Sequence, residues 1–232
     1  MSAHATRLSG ISSMATRQVL AALARDAVAA VGTELLLESV GGVDAERRVA
    51  AGEALDLVFL AREAVDRLQA AGHVLAGSGV DLMRSQIWVA VRAGAAVPAV
   101  ADEAQVRAAV LAARTIGYST GPSGHYLTGL FQRWGILGQV EPRLVRARPG
   151  VPVGALIAAG EVELGFQQRS ELVGLEGVDA IGPLPASIQH ATVFAAAVCA
   201  ASQRPDDARR LLRFLASPRA DAIKQAHGMG PA

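Results

Sequence analysis

The chain has 232 residues, which is enough to bury the core of one large domain or of two small ones. Its formal net charge is +1, from 22 basic and 21 acidic residues, and no block of like charge is present, so nucleic acid is excluded as an expected partner. Cys199 is the single cysteine and lies in the apolar run TVFAAAVCAA, so a buried thiol is expected rather than a disulfide or a metal site.

The N-terminal sequence MSAHATRLSGISSMATRQVL has no uninterrupted apolar segment of the kind that signal peptides carry. No apolar run in the chain approaches the roughly 20 residues that cross a bilayer, so membrane insertion is not predicted. As written, the chain is expected to stay in the cytoplasm. A periplasmic location is expected instead if a leader has been removed and an initiator Met added.

The first part of the chain alternates aliphatic runs with alanine-rich helical segments, which is the pattern of parallel βαβ units. The fold class is therefore predicted to be α/β. A glycine, Gly32 or Gly72, is expected to end the first and the third helix. Strands are predicted over residues 5–11, 33–39 and 55–61, and helices over 14–32, 43–53 and 63–73.

From Gly77 the pattern changes, because residues 77–94 form one long extended stretch with glycines at both ends. We interpret this stretch as a crossover between two lobes. The first lobe is predicted to comprise residues 1–78 and 190–232, and the second lobe residues 79–189.

The second lobe repeats the alternation of helix and strand. Helices are predicted over residues 102–113, 123–136 and 151–161, and strands over 114–120, 142–147, 162–168 and 179–185. A return strand over 190–198 and a final helical segment over 205–228 are expected to pack on the first lobe.

The segment TGPSGHYL contains a turn that joins a buried strand to a helix. Its glycines, Gly121 and Gly124, allow the backbone to approach a ligand closely, and Ser123 supplies a hydroxyl. Helix N-termini carry unpaired N–H groups and a positive dipole end, so two α/β lobes would place several of them around an anion-binding cleft. The alternative is that Ser123 caps its own helix and contacts no ligand.

Two junctions in the first lobe have the same composition. The junction between the first strand and the first helix carries Ser9, Gly10, Ser12 and Ser13, and the second strand ends in Ser39 followed by Gly41 and Gly42. Three strand-to-helix junctions thus combine serine with glycine at matching positions, which favours a binding cleft over coincidence.

The order and spacing of several motifs resemble the type 2 periplasmic solute-binding proteins, and within them the molybdate-binding subgroup. These motifs are ISSM, AAGEALDLVFLA, GYSTGPSGHYL, GEVELGFQQRSEL and PDDARRLLRFLASPRA, and they cover most of the chain. The resemblance implies a bilobal Venus-flytrap fold that closes by a hinge on a small anion. It also implies an ABC permease as the partner of an exported protein.

The resemblance further implies which residues line the cleft. They are Ser12, Ser13, the turn from Ser39 to Gly42, Ser123 with Gly124, and Gln167 or Gln168.

The sequence departs from the molybdate-binding pattern at two of these places. SVGGV stands where oxyanion binders often have adjacent hydroxyls, and FQQRSE stands where they often have a tyrosine. Gln167 and Gln168 each donate and accept hydrogen bonds, and Arg169 is able to pair with a carboxylate through two parallel bonds. An organic di- or tricarboxylate is therefore the preferred ligand. For Arg169, and for Arg62 after the third strand, a solvated or structural ion pair is the alternative to ligand binding.

An enzyme is the second hypothesis, since some proteins that resemble this subgroup are aconitate isomerases. An allylic shift in a tricarboxylate needs anion anchors, a base that removes a proton and an acid that returns one. The candidates are His125, in the first turn of its helix, and Glu171 in RSEL. Their alternatives are an exposed histidine and a glutamate that caps a helix or pairs with Arg169.

No metal site and no cofactor are predicted. The five histidines, at positions 4, 73, 125, 190 and 227, show no paired i, i+4 spacing. The chain also lacks a nucleophile elbow, a phosphate-binding P-loop and a complete dinucleotide fingerprint.

Overall fold

The computed structural model describes residues 6–148 and 150–232, so His4 and the first residue of the first predicted strand lie outside the described residues. The described chain forms two compact units. Unit one contains the residues up to Arg84 together with Val193–Ala232, and unit two is Ser85–Thr192. The lobe boundaries predicted from the sequence fall slightly earlier, after residue 78 instead of 84 and after residue 189 instead of 192.

Strands and helices alternate along most of the chain, which confirms the α/β class. The strands are β1 (Thr6–Ser13), β2 (Thr33–Val40), β3 (Leu57–Ala61), β4 (Val80–Arg92), β5 (Ile116–Tyr118), β6 (Leu144–Arg146), β7 (Leu164–Gln168), β8 (Val178–Pro183), β9 (Ala191–Val198) and β10 (Gly230–Pro231). The α-helices are α1 (Arg17–Val31), α2 (Gly42–Ala50), α3 (Arg62–Ala70), α4 (Glu103–Ala112), α5 (Pro122–Arg133), α6 (Leu137–Val140), α7 (Val153–Ala158), α8 (Arg169–Leu172), α9 (Pro205–Leu215) and α10 (Asp221–Ala226).

In unit one, β1 pairs in parallel with β2 and β3, and β9 runs antiparallel to β3. The apolar run of β3 is buried on both faces of this sheet. Leu57 and Phe59 belong to the core that also contains residues of α1 and α9, whereas Val58 and Leu60 belong to the core under α2 and α3. Helices therefore cover both faces, as parallel sheets require.

In unit two, β5 pairs in parallel with β6 and β7, and β4 runs antiparallel to β7 and to β8. Side chains again alternate between two cores. Val89 and Phe166 pack with residues of α4 and α5, and Ala90 packs with residues of α7. The carboxyl ends of β5 and β6 lead toward the N-termini of α5 and α7, where binding groups are expected in α/β sheets.

Glycines end helices as predicted. Gly32 follows α1 with φ +64°, and its N–H bonds to the carbonyl of Val28. Gly72 follows α3 with φ +76°. Both lie in the left-handed region that favours glycine.

The prediction of one continuous helical segment over residues 205–228 is wrong. The helix α9 ends at Leu215, a 3-10 turn covers Pro218–Ala220, and α10 follows. Ser217 is extended, with φ −78° and ψ 156°, because a following proline disfavours helical backbone at the residue before it. The four-residue helices α6 and α8 are too short to produce a periodic pattern.

In the described ranges, no helix combines the length and the apolarity needed to cross a membrane.

Candidate functional site

Ser12 and Ser39 lie side by side at the carboxyl ends of β1 and β2. The parallel register places them directly opposite each other, and their hydroxyl oxygens are 2.8 Å apart. Ser12 is fully buried, and its hydroxyl is also 3.2 Å from the carbonyl oxygen of Ser13. Strand pairing thus brings together two hydroxyls from distant parts of the sequence.

Ser13 adds a hydroxyl that has no partner among the described residues. It is buried, with 9% of the residue exposed, and its Oγ forms no hydrogen bond with any residue that the structure describes. A Cβ placed on Gly42 would be 3.7 Å from the Ser13 Cβ, so Ser13 lies against the first residue of α2. The N-cap of α2 is Gly41, which has no side chain to bond the first N–H groups. Hydroxyl and amide donors therefore lie close together here.

Arg62 is held by carboxylates of the protein itself. Its Nη1 is 3.0 Å from Asp81 Oδ1, and its Nε is 3.0 Å from Asp66 Oδ1. The alternative in which Arg62 forms structural ion pairs therefore matches the structure, since two carboxylates of the protein neutralise its guanidinium.

In unit two, Ser123 forms a hydrogen bond with Ser119, which was not among the predicted site residues. The hydroxyls of Ser119 and Ser123 are 3.0 Å apart, and the Ser119 Oγ also accepts from the N–H of Gly121 at 3.2 Å. The N-cap of α5 is Gly121, and Ser123 lies inside the first turn of the helix. The alternative in which Ser123 caps the helix is therefore wrong.

Gly124 is required by a close backbone approach. A Cβ at this position would be 1.8 Å from the carbonyl oxygen of Ser119. No side chain fits this gap, so Gly124 fixes the position of the turn that carries Ser119 and Ser123.

Gln167 is buried and oriented by the backbone of α7. Its Oε1 accepts from the N–H of Gly154 at 3.2 Å. Since Oε1 bonds to Gly154, the amide Nε2 is the end of the side chain that is left to donate.

Glu171 has a strongly perturbed pKa. Loss of hydration on burial raises the pKa of this carboxyl from 4.5 to about 7, and the hydrogen bond from Gln167 opposes this rise. A carboxyl group with a pKa near neutrality is able both to accept and to release a proton at physiological pH.

Gln168 points to the opposite face of β7 and is also buried, with 1% exposed. Its Nε2 is 2.6 Å from the hydroxyl oxygen of Thr192, and its Oε1 has no partner among the described residues.

Two further candidates, Arg169 and His125, are exposed. The guanidinium carbon of Arg169 lies 4.9 Å from the centroid of the Trp88 ring, a cation–π contact. No carboxylate forms an ion pair with Arg169 among the described residues. The alternative in which Glu171 pairs with Arg169 is therefore wrong. Trp88 is half-buried against the core, and its Nε1 has no partner in the described chain.

No group of three His, Cys, Asp or Glu side chains that could hold a metal ion occurs in residues 6–148 and 150–232.

The residues that sequence reasoning missed are contact partners of the ones it found: Ser119, Gly154 and Thr192. Ser119 follows a strand and has the same Ser-Gly neighbourhood as Ser123, so the composition of the turn could have included it. Nothing in the sequence marks Thr192 or Gly154.

Comparison with known proteins defines the class of this chain. A family model described as bacterial extracellular solute-binding protein matches residues 8–230. The chain belongs to this family, which confirms the resemblance to type 2 solute-binding proteins.

Among individual relatives, an aconitate isomerase from Pseudomonas sp. is 37% identical over 184 residues, which are 79% of this chain and 70% of the relative. Two solved structures are similar in fold. The periplasmic molybdate-binding protein of Azotobacter vinelandii superposes with a TM-score of 0.80 at 20% identity, over 96% of this chain and 98% of the other. The sulfate-binding protein SubI of Mycobacterium tuberculosis H37Rv gives 0.78 at 19% identity, over 98% and 87%. These likenesses confirm the two-lobed α/β fold of periplasmic binding proteins.

Proposed function

We propose that this protein binds a small organic polycarboxylate through neutral hydrogen-bond donors at the carboxyl ends of its parallel strands. The observation that carries the proposal is the Ser12–Ser39 hydroxyl pair, together with the hydroxyl of Ser13, which is buried and has no partner among the described residues. Leaving a buried polar group without a partner costs about 1–3 kcal/mol, and an anion that accepts from Ser13 removes this cost. The uncapped start of α2 adds N–H donors and a positive dipole end.

Two features favour a carboxylate over a tetrahedral inorganic ion. The relative that is 37% identical is named for aconitate, a tricarboxylate. In addition, Arg169 has no carboxylate partner among the described residues and presents a planar guanidinium, which matches the two oxygens of a carboxylate.

The test is the thermal stability of the protein with a panel of anions. We expect trans-aconitate and tricarballylate to raise the midpoint of unfolding, because a ligand of the folded state stabilises it by mass action. Molybdate and sulfate should have no comparable effect at equal concentration and ionic strength. Stabilisation by molybdate or sulfate alone would overturn the carboxylate assignment. Ser13→Ala should lose most of this stabilisation by the ligand. Ser217→Ala is its matched control and should keep it, because the Ser217 hydroxyl bonds to the Phe214 carbonyl and is not part of the proposed site.

A second candidate function is isomerisation of the bound polycarboxylate, and Glu171 favours it. With a pKa near 7, the Glu171 carboxylate is suited to take a proton from the carbon next to the double bond. The double bond then moves by one position, and a proton is returned to the far carbon, so no oxidant or other reactant is consumed. His125 remains a proposed partner acid, and its exposure allows access to solvent.

Proton NMR of trans-aconitate in D₂O tests this second function. Turnover predicts new resonances of the cis isomer or exchange of the methylene protons with deuterium, and both should be lost in Glu171→Gln. Glu163→Gln is the control, because Glu163 is an exposed carboxylate in the same unit that bonds to Arg114. Binding of trans-aconitate without exchange would leave the protein as a receptor and remove the enzyme hypothesis for this ligand.

The family description as extracellular supports a place outside the cytoplasm, with a transporter permease as the partner. Fractionation of cells that express the native gene tests this location. Recovery of the protein with cytoplasmic markers would contradict it.

A further inference from the structure

The carboxamide of Gln168 is buried, and only one of its two polar atoms has a hydrogen-bond partner among the described residues. It lies at the last residue of β7, and only 1% of the residue is exposed. Its one contact is to the hydroxyl of Thr192, which is itself 2% exposed. The other end of the carboxamide has no partner in the part of the chain that the structure describes. Buried polar atoms are normally paired, and a bound ligand is one partner that would complete the hydrogen bonding of this atom.

The contact with Thr192 is compatible with two orientations of the carboxamide. A hydroxyl both donates and accepts, so Thr192 is able to accept from Nε2 or, after a half-turn of the amide, to donate to Oε1. In the first orientation the unpartnered atom is a carbonyl oxygen, which repels an anion. In the second it is an NH₂ group, which has two hydrogens to donate.

We propose that Thr192 is a positioning residue that donates to the Gln168 carbonyl oxygen and thereby directs the Gln168 NH₂ toward a ligand carboxylate. This inference rests on the polycarboxylate function proposed above. The Gln168–Thr192 pair then selects between ligands. A carboxylate binds to the Gln168 NH₂ group, whereas a neutral ligand group that only donates would favour the carboxamide orientation with Oε1 toward the ligand.

The residue type at position 192 suits this role. Threonine is β-branched and stiff at its first side-chain torsion, so its hydroxyl holds one direction at the start of β9. Valine at this position would keep the shape and lose the hydroxyl. Serine would keep the hydroxyl and lose only the stiffness.

The experiment is a calorimetric titration of trans-aconitate into the wild type, Thr192→Val and Thr192→Ser. We expect binding to weaken about 10- to 100-fold in Thr192→Val, in line with the loss of an oriented hydrogen bond to a charged group, and to stay within about threefold in Thr192→Ser. Thr33→Val is the matched control, since Thr33 is a fully buried threonine at the start of β2 in unit one. It should bind like the wild type.

The ¹⁵N–¹H resonances of the Gln168 side chain give a second readout, assigned with Gln168→Leu. Saturation with trans-aconitate should shift them downfield in the wild type, as expected when an NH₂ group donates to a carboxylate, and leave them unshifted in Thr192→Val. This readout also serves if Thr192→Val is too unstable to titrate, because Thr192→Ser must then retain the shift.

The outcomes separate the two proposals. If the wild type binds trans-aconitate and Thr192→Val binds it equally well, the role of Thr192 is overturned and the polycarboxylate function stands. Unshifted Gln168 resonances in the saturated wild type overturn it as well. If the wild type binds no polycarboxylate, the proposed function and the inference that rests on it both fail.

Discussion

Unit one and unit two present polar groups at the carboxyl ends of parallel strands, but with different chemistry. In unit one these groups are the hydroxyls of Ser12, Ser13 and Ser39, and the nearby candidate cation, Arg62, is neutralised by its own carboxylates. In unit two the groups include the two carboxamides at the end of β7 and the titratable Glu171. Unit one therefore offers neutral hydroxyl donors, whereas unit two also offers a carboxyl group whose pKa is raised to about 7.

The largest expected effect tests the turn that supports unit two. Gly124→Ala places a Cβ 1.8 Å from the Ser119 carbonyl oxygen, so the turn must move. We expect it to lower the free energy of unfolding by about 3 kcal/mol or more. Urea denaturation measures this loss.

Gly129→Ala on the same helix is the matched control, because its Cβ would meet nothing within 4 Å. It should raise the stability by about 0.5–1 kcal/mol, as alanine does in an open helical position. Equal effects of the two substitutions would show that the Ser119 turn is not fixed by this contact.

The next effect concerns pH and the carboxyl group of Glu171 in unit two, a half-buried residue. The pKa of Glu171 is raised by burial from 4.5 to about 7, so between these two values the folded state binds more protons than the unfolded state. The contribution of Glu171 to the free energy of unfolding is therefore fully present below about pH 4.5 and is lost as the pH rises through about 7. The loss amounts to at most about 3 kcal/mol. Urea denaturation over this range measures the slope.

Glu171→Gln should remove this dependence. Glu163→Gln should leave it in place, because hydrogen bonds from Arg114 lower the pKa of Glu163 and its contribution changes only in acid. A slope that survives in Glu171→Gln would assign the titration to another group.

A smaller effect distinguishes the two serines at the carboxyl end of β1 in unit one. Ser12→Ala removes the bond to Ser39 and should cost about 1 kcal/mol of stability. Ser13→Ala removes a hydroxyl that has no partner in the described chain, so the stability should be unchanged or slightly higher. Thermal unfolding of both variants measures the difference, and a larger loss in Ser13→Ala would show that Ser13 has a structural role.

The smallest effect is expected at Cys199 in unit one. Burial, with a contribution from Asp56, raises the pKa of this thiol to about 12, so almost no thiolate exists near neutral pH. A thiol reagent should leave the native protein unlabelled and label it in denaturant. Rapid labelling of the native state would contradict the low reactivity expected of the Cys199 thiol.

The fold could be predicted where local pattern determines it. Apolar periodicity located most strands and helices, and Gly32 and Gly72 marked two helix ends. The break at Ser217 and Pro218 was missed because the apolar pattern continues on both sides of the proline.

The candidate site was less predictable, since its contacts join distant residues. Ser12 meets Ser39 across 27 positions, and Gln168 meets Thr192 across 24. The strand ends that carry Ser12, Ser39 and Gln168 follow from the pattern, but the partners depend on strand register. The ion pair of Arg62 with Asp81 could not be predicted for the same reason, because the two residues are 19 positions apart in the sequence.

The most direct test of the polycarboxylate proposal is a calorimetric titration of trans-aconitate into the wild type and Ser13→Ala. We expect the wild type to bind, and Ser13→Ala to bind about tenfold or more weakly while it remains as stable, because its only loss is a donor to the ligand. Equal affinity of the two proteins would contradict a role for the hydroxyls of unit one, and the absence of binding to the wild type would contradict the proposed function itself.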